Sequence, residues 1–304
     1  MKLLPKTLFG TAAVLICTSS LSLVAEEEPL QLKLEKIADG FVAPVGLESH
    51  PAMPDHLLVV DQAGEVKVVK PDGSVSDEPF LDVRDRLTKL RPGFDERGLL
   101  GLAFHPDFSE NHKVFVYYSG KKSESLPEGW DHTSHVSEYT VKKDNPLEAD
   151  PASEKVILHI DQPHFNHNGG MMRFGKDGFL YIATGDGGGG NGFGKGHVPM
   201  GNSQDPNLLL GKILRIAPDG NGGYTIPADN PFANGEGGKK EIYAMGIRNP
   251  WGFSIDHATG RAITADVGQN RFAEINVIER GANYGWNLRE GYDGFDPKKP
   301  MELS

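Results

Sequence analysis

The chain holds one cysteine in 304 residues, Cys17, so everything beyond it lacks a thiol. Disulfides and Cys-ligated metal sites are thereby excluded from the body of the protein. Positive charge is in deficit, with 31 Lys and Arg against 42 Asp and Glu, a net charge of −11. No basic stripe stands out, which argues against nucleic-acid binding. Long hydrophobic runs are missing as well. The best, Leu8 to Cys17, is too brief to span a bilayer, and the composition excludes a multi-span membrane chain or a disordered one. Helical periodicity is scarce, and its best candidate is the short stretch Asn207 to Leu214.

Glycine is what the chain has in excess, 38 residues beside 21 prolines and without collagen periodicity. Such a composition calls for many turns and short strands, and it points to an all-β repeat fold. Met1 to Ala25 reads as a secretory signal: Lys2 and Lys6 open it, a short apolar run follows, and Ala25 precedes Glu26-Glu27-Glu28. Ile16 is too bulky for a lipoprotein pattern around Cys17. The expected mature domain is 26–304, periplasmic or secreted, with no membrane span and no cysteine.

Four stretches share one layout: a glycine and an apolar strand, a polar turn, then a second apolar strand. They begin at Gly46, Gly101, Gly170 and Gly252 and close at Asp61, Tyr118, Asp186 and Asp266. A constant unit separated by variable gaps is the pattern of propeller blades with inserted loops.

Several chemical motifs fail on inspection. The run Asp186 to Gly196 imitates a phosphate loop, but Gly196 stands where Ser or Thr should meet magnesium and no helix follows. It also fails as an EF-hand, because His197 replaces the closing Glu. This run reads as a mobile loop. His159, His164 and His167 cluster without an HExxH frame, so they make at most half a metal site. His167-Asn168-Gly169-Gly170 is more suggestive, since it stands at the threshold of a strand. Thr184-Gly185-Asp186 ends the next strand, and an antiparallel pair brings these two ends together. Asp186 can then orient the His167 imidazole as a base. Arg248 in Gly246 to Pro250 stands at the same threshold of the fourth unit and is expected to face the same mouth.

Glu96 to Phe108 resembles the early signature of the soluble glucose/sorbosone dehydrogenase family. So do His167 to Gly170, Phe174 to Gly178, Thr184 to Asp186, Leu210 to Ile216, Arg248 to Gly252, Glu274 to Asn276 and Asn283 to Trp286, in family order. The resemblance implies a six-bladed β-propeller, here incomplete at about four to five blades because the chain stops at Ser304. It implies pyrroloquinoline quinone (PQQ) and calcium as cofactors and oxidation of an aldose at C1 to the lactone, with an electron acceptor of unspecified identity. His167 matches the general base, Asp186 its orienting carboxylate, and Arg248 the arginine beside the quinone. Glu96, Arg97 and Asn249 join Arg248 among the cofactor contacts, with Arg97 a candidate to offset the Glu96 charge. Gly268 and Gln269 resemble the carbonyl donors of the cofactor calcium, and Glu274 and Tyr284 the ligands of a second calcium. Two alternatives stay open. One is a non-catalytic calcium-binding propeller that engages a protein or carbohydrate, as in the hedgehog-interacting relatives. The other is a calcium propeller hydrolase, for which the chain offers no acidic metal cluster.

Overall fold

A computed structural model describes residues 32–124 and 126–296; the signal-like segment Met1 to Ala25 lies outside them. Each of the four Gly-led units forms the two inner strands of one antiparallel meander. The first sheet is β1 (Pro44–His50), β2 (Met53–Asp61), β3 (Glu65–Val69) and β4 (Leu81–Asp82). The second is β5 (Leu99–Phe104), β6 (Lys113–Gly120), β7 (His132–Val141) and β8 (Ala149–Gln162). In the third, β9 (Met172–Phe174), β10 (Leu180–Thr184) and β11 (Lys212–Pro218) continue into β12 (Tyr224–Thr225) and β13 (Ile242–Met245), which both pair with β11. The fourth is β14 (Pro250–Ile255), β15 (Ala262–Asp266) and β16 (Glu274–Ile278), followed by the ribbon β17 (Arg289–Glu290) and β18 (Asp293–Gly294).

The burial pattern explains the stacking. β6 is buried on both faces, so its run Val114 to Tyr118 is continuously apolar rather than alternating. Val114, Val116 and Tyr118 pack with the first sheet around Val60, Val66 and Phe80. Phe115 and Tyr117, on the opposite face, pack with Met172, Ile182 and Leu214 of the third sheet. Tyr181, Ala183 and Ile213 then close a third core against Phe253 and Ile255 of the fourth. Each such side chain contributes about 1.5–3 kcal/mol by leaving water.

The innermost strands pack in succession, β1 on β5, β5 on β9 and β9 on β14. Register breaks recur at one place, between Pro44 and Gly46, Leu99 and Gly101, and Pro250 and Gly252. Such a bulge turns one residue out of the ladder. The residues so displaced, Val45, Leu100 and Trp251, line a single small cavity with Gly169 and Met171. Glycine is required beside it, because a Cβ on Gly101 would come within 2.2 Å of the Gly170 carbonyl oxygen. The β-propeller expectation is borne out, with four sheets around one axis among the described residues.

The best helical candidate, 207–214, is not helical. Those residues turn through Gly211, at φ +70°, and enter β11 at Lys212. The alternating Ile213 and Ile216 serve two different sheet faces, which a helix would not allow.

Candidate active site

His167 lies just ahead of β9 with φ +55°, a left-handed conformation that a side chain rarely adopts. Three contacts hold it there. Its N–H donates to Glu96 Oε2 at 2.7 Å. Its carbonyl rests against Gly185, where a Cβ would come within 2.0 Å of the oxygen. Its Nδ1 lies 2.7 Å from Asp186 Oδ1. With Nδ1–H donated to the carboxylate, Nε2 keeps its lone pair, and it takes no protein hydrogen bond among the described residues.

Asp186 is fully buried and surrounded by donors. Gly188 N–H reaches Oδ1 at 2.9 Å, and the Trp286 indole N–H reaches Oδ2 at 2.7 Å. Burial pushes this carboxyl up, but the His167 charge and hydrogen bond, with the His197 charge and the Gly188 N–H, overcome it and hold it below the usual range. Asp186 also donates its own N–H to the Arg248 carbonyl at 2.8 Å.

Arg248 is therefore brought to the same place. Its guanidinium donates to Val267 O at 2.9 Å and to Gln269 Oε1 at 2.8 Å, and it lies over the Trp286 ring at 5.3 Å. Burial draws its pKa downward against the pull of Asp186, Asp266, Glu96 and Glu290. Asn249 donates Nδ2 to Glu96 Oε2 at 3.0 Å. Glu96 thus accepts from both His167 and Asn249. The Arg248 and Asn249 backbone N–H groups end on Asp266, whose carboxyl burial pushes up to about 7.

Other expected residues fall elsewhere. Arg97 points away from Glu96: Asp95 takes its Nε and one terminal nitrogen, and Asp131 takes the other at 2.9 Å. In extended chain, neighbouring side chains leave on opposite sides, so Glu96 is offset by two N–H donors and not by Arg97. Glu274 and Tyr284 do not meet as side chains. Glu274 accepts from Gly291 N and Asn276 Nδ2 at the start of β16, whereas the Tyr284 hydroxyl donates to Val277 O at 2.6 Å, towards its other end. The histidine cluster disperses too. His159 stacks on His135, and His164 bonds Lys195 O. Among the described residues no group of three or more His, Cys, Asp and Glu is arranged to hold a metal. Gly268 and Glu274 instead line a small cavity with Arg248, Asp266 and Glu290, where Glu290 Oε2 is buried without a partner.

Two participants escape motif reading. Trp286 joins Asp186 to Arg248, and the glycine run after Asp186 is tied down rather than loose. Gly189 N–H reaches Asn166, Asn191 N–H reaches Gln269, and Asn287 holds the carbonyls of Asn191 and Gly192. No local signal marks the second, because the side-chain amides come from Asn166, Gln269 and Asn287, distant in sequence.

The Glucose / Sorbosone dehydrogenase family profile matches residues 41–300. Human Hedgehog-interacting protein is 32% identical over 265 residues, 83% of this chain and 37% of its own length. Escherichia coli aldose sugar dehydrogenase YliI is 29% identical over 92% of this chain and 68% of its own. The PQQ-bound aldose sugar dehydrogenase of Streptomyces coelicolor superposes with a TM-score of 0.66 at 28% identity, covering 88% of this chain and 70% of that one. The chain spans less than half the length of the Hedgehog-interacting and HIPL proteins it matches. It belongs to the glucose/sorbosone dehydrogenase family.

Proposed function

We propose that the protein oxidises an aldose at C1 to the lactone with PQQ and calcium, after export directed by Met1 to Ala25. The observation that carries this reading is the convergence on one buried aspartate. Asp186 binds the His167 imidazole through its carboxylate and the Arg248 backbone through its N–H.

The residues present suit these groups in kind. Arg248 is a cation for an anionic quinone, and its Nε and Asn249 Oδ1 are buried without a protein partner. Calcium favours oxygen donors, and the unpartnered Glu290 Oε2 beside Gly268 is one. The carbonyls of Gly268 and Gln269 would complete the hold, and Glu274 stands beside them. When bound, PQQ supplies the acceptor for the C1 hydride and calcium polarises it.

His167 accepts the C1 hydroxyl proton at Nε2, and Asp186 stabilises the imidazolium that results. A base so placed contributes roughly 10²–10⁴-fold. The Arg248 guanidinium offers positive charge where negative charge develops. Glu96 holds the His167 backbone and the Asn249 amide in one register.

The test is turnover of an aldose panel with a dye acceptor after addition of PQQ and calcium. Activity should appear and should vanish in His167→Ala. Equal rates for parent and variant overturn the reading. The likeness to Hedgehog-interacting protein supports a second reading, a propeller that binds a protein or carbohydrate partner. Calorimetry separates the two: heat from calcium with none from PQQ selects the binding module.

A further inference from the structure

Asp266 is the last residue of β15 and pairs with Pro250 across the ladder. It is 5% exposed, and its two oxygens take two consecutive peptide N–H groups, Arg248 on Oδ2 at 2.9 Å and Asn249 on Oδ1 at 2.6 Å. The first sheet repeats this arrangement. Asp61 ends β2, pairs with Pro44, and accepts Val42 N–H at 2.7 Å and Ala43 N–H at 3.0 Å. The sheets do not demand it, because in the second sheet the residue opposite the start of the innermost strand is Tyr118, facing Leu99, and the third ends β10 in Thr184. What differs is the residues presented. Asp61 holds Val42 and Ala43, and Val42 is 76% exposed. Asp266 holds the two residues whose side chains reach Gln269 and Glu96.

The connection runs further. The Arg248 carbonyl accepts the Asp186 N–H, so Arg248 is gripped on its N–H by one aspartate and on its carbonyl by the backbone of another. A shift at Asp266 would pass through this one residue to the partner of His167. Two hydrogen bonds from adjacent amides to one side chain fix both the position and the tilt of the segment.

We infer that Asp266 is a positioning residue: its carboxylate aims Arg248 and Asn249 into the site and steadies the His167–Asp186 pair from behind. This rests on the sugar-oxidation reading for its catalytic consequence but not for its geometry. Asp61 supplies an internal control, since it makes the same bonds to Val42 and Ala43 rather than to Arg248 and Asn249.

The experiment compares Asp266→Asn with Asp61→Asn in the full chain. Without cofactor, amide exchange at Arg248 and Asn249 should rise roughly tenfold in the first variant, and at Val42 and Ala43 in the second. The low-field imidazole N–H resonance of His167 should move only in Asp266→Asn. With PQQ and calcium, kcat should fall by about 10–100-fold in Asp266→Asn, with KM for the sugar changing less, and stay within about twofold in Asp61→Asn. If Asp266→Asn does not fold, Asp266→Thr replaces it, after the example of Thr184. Unchanged exchange at Arg248 and Asn249 overturns the inference. So does faster exchange with a parental His167 resonance, which would make Asp266 a sheet staple like Asp61. A parent that never turns over removes the sugar-oxidation reading, while exchange and resonance still decide the positioning role.

Discussion

Two histidine–aspartate pairs occur among the described residues, and only one is built to act as a base. His132 Nδ1 lies 3.0 Å from Asp131, and His167 Nδ1 lies 2.7 Å from Asp186. In the first pair the histidine is fully buried and the aspartate is 30% exposed. Asp131 also faces the Arg97 guanidinium, and His132 Nε2 approaches Ser134 Oγ inside the sheet. In the second pair both members are buried, and the further donors to the aspartate, Gly188 and Trp286, carry no charge. Among the described residues the only charged group that hydrogen-bonds the Asp186 carboxylate is thus the imidazole, whereas Asp131 divides its carboxylate between His132 and the Arg97 guanidinium. The pair alone confers nothing. What else the aspartate binds, and what remains open on Nε2, decides the chemistry.

The sharpest way to break this comparison is to remove each histidine. His167→Ala should lower kcat in the reconstituted enzyme by roughly 10²–10⁴-fold, the usual worth of a general base. His132→Gln should leave kcat within about twofold and lower the melting temperature instead. Comparable kcat losses in the two variants would mean that the partners of each aspartate and the open Nε2 have no bearing on function.

The next largest effect is expected in the structural pair. Arg97→Met leaves Asp95, only 6% exposed, and Asp131 without their cation. Breaking a buried pair in this way costs about 3–5 kcal/mol. Urea unfolding should show that loss as a lower midpoint. His167 has no contact with this arginine, so enzyme that remains folded should keep its pH–rate profile.

How much of this could be read in advance follows from the geometry of the repeat. The Gly-led units were legible because Gly46, Gly101 and Gly252 sit at bulges that recur at the inner end of a sheet. Outer strands such as β7, with the polar run His132 to Thr140, carry no comparable period and are specified by their neighbours. His167 and Asp186 were legible as a pair because both stand at strand ends that an antiparallel ladder joins. Trp286 was not, since its bond to Asp186 spans 100 residues. Arg97 was misplaced because adjacency in sequence suggested adjacency in the site, whereas the backbone turns it to the far side of Glu96.

A smaller change sharpens the second pair without dismantling it. Trp286→Phe keeps a ring beneath Arg248 but deletes the donor to Asp186 Oδ2. A hydrogen bond to a charged group is worth about 1.5–3 kcal/mol. If the bond matters equally in the transition state, kcat should fall by about 10–150-fold, with little change in sugar KM. A rate unchanged from the parent would show that Gly188 alone suffices to orient the carboxylate.

The smallest effect is a pH dependence that belongs to the structural pair. Burial holds the His132 pKa below its ordinary 6.5, more strongly than Asp131 can raise it. The unfolded chain therefore takes up a proton below pH 6.5 that the folded protein refuses, and stability falls as the pH drops through that value. His50 and His135 are lowered by burial in the same way and add slopes of the same sign. The informative quantity is thus the difference between parent and His132→Gln. Unfolding free energies measured from pH 7.5 down to 5 should decline less steeply in the variant. Parallel curves would mean that His132 titrates alike in the folded and the unfolded chain, and that burial does not govern this pair.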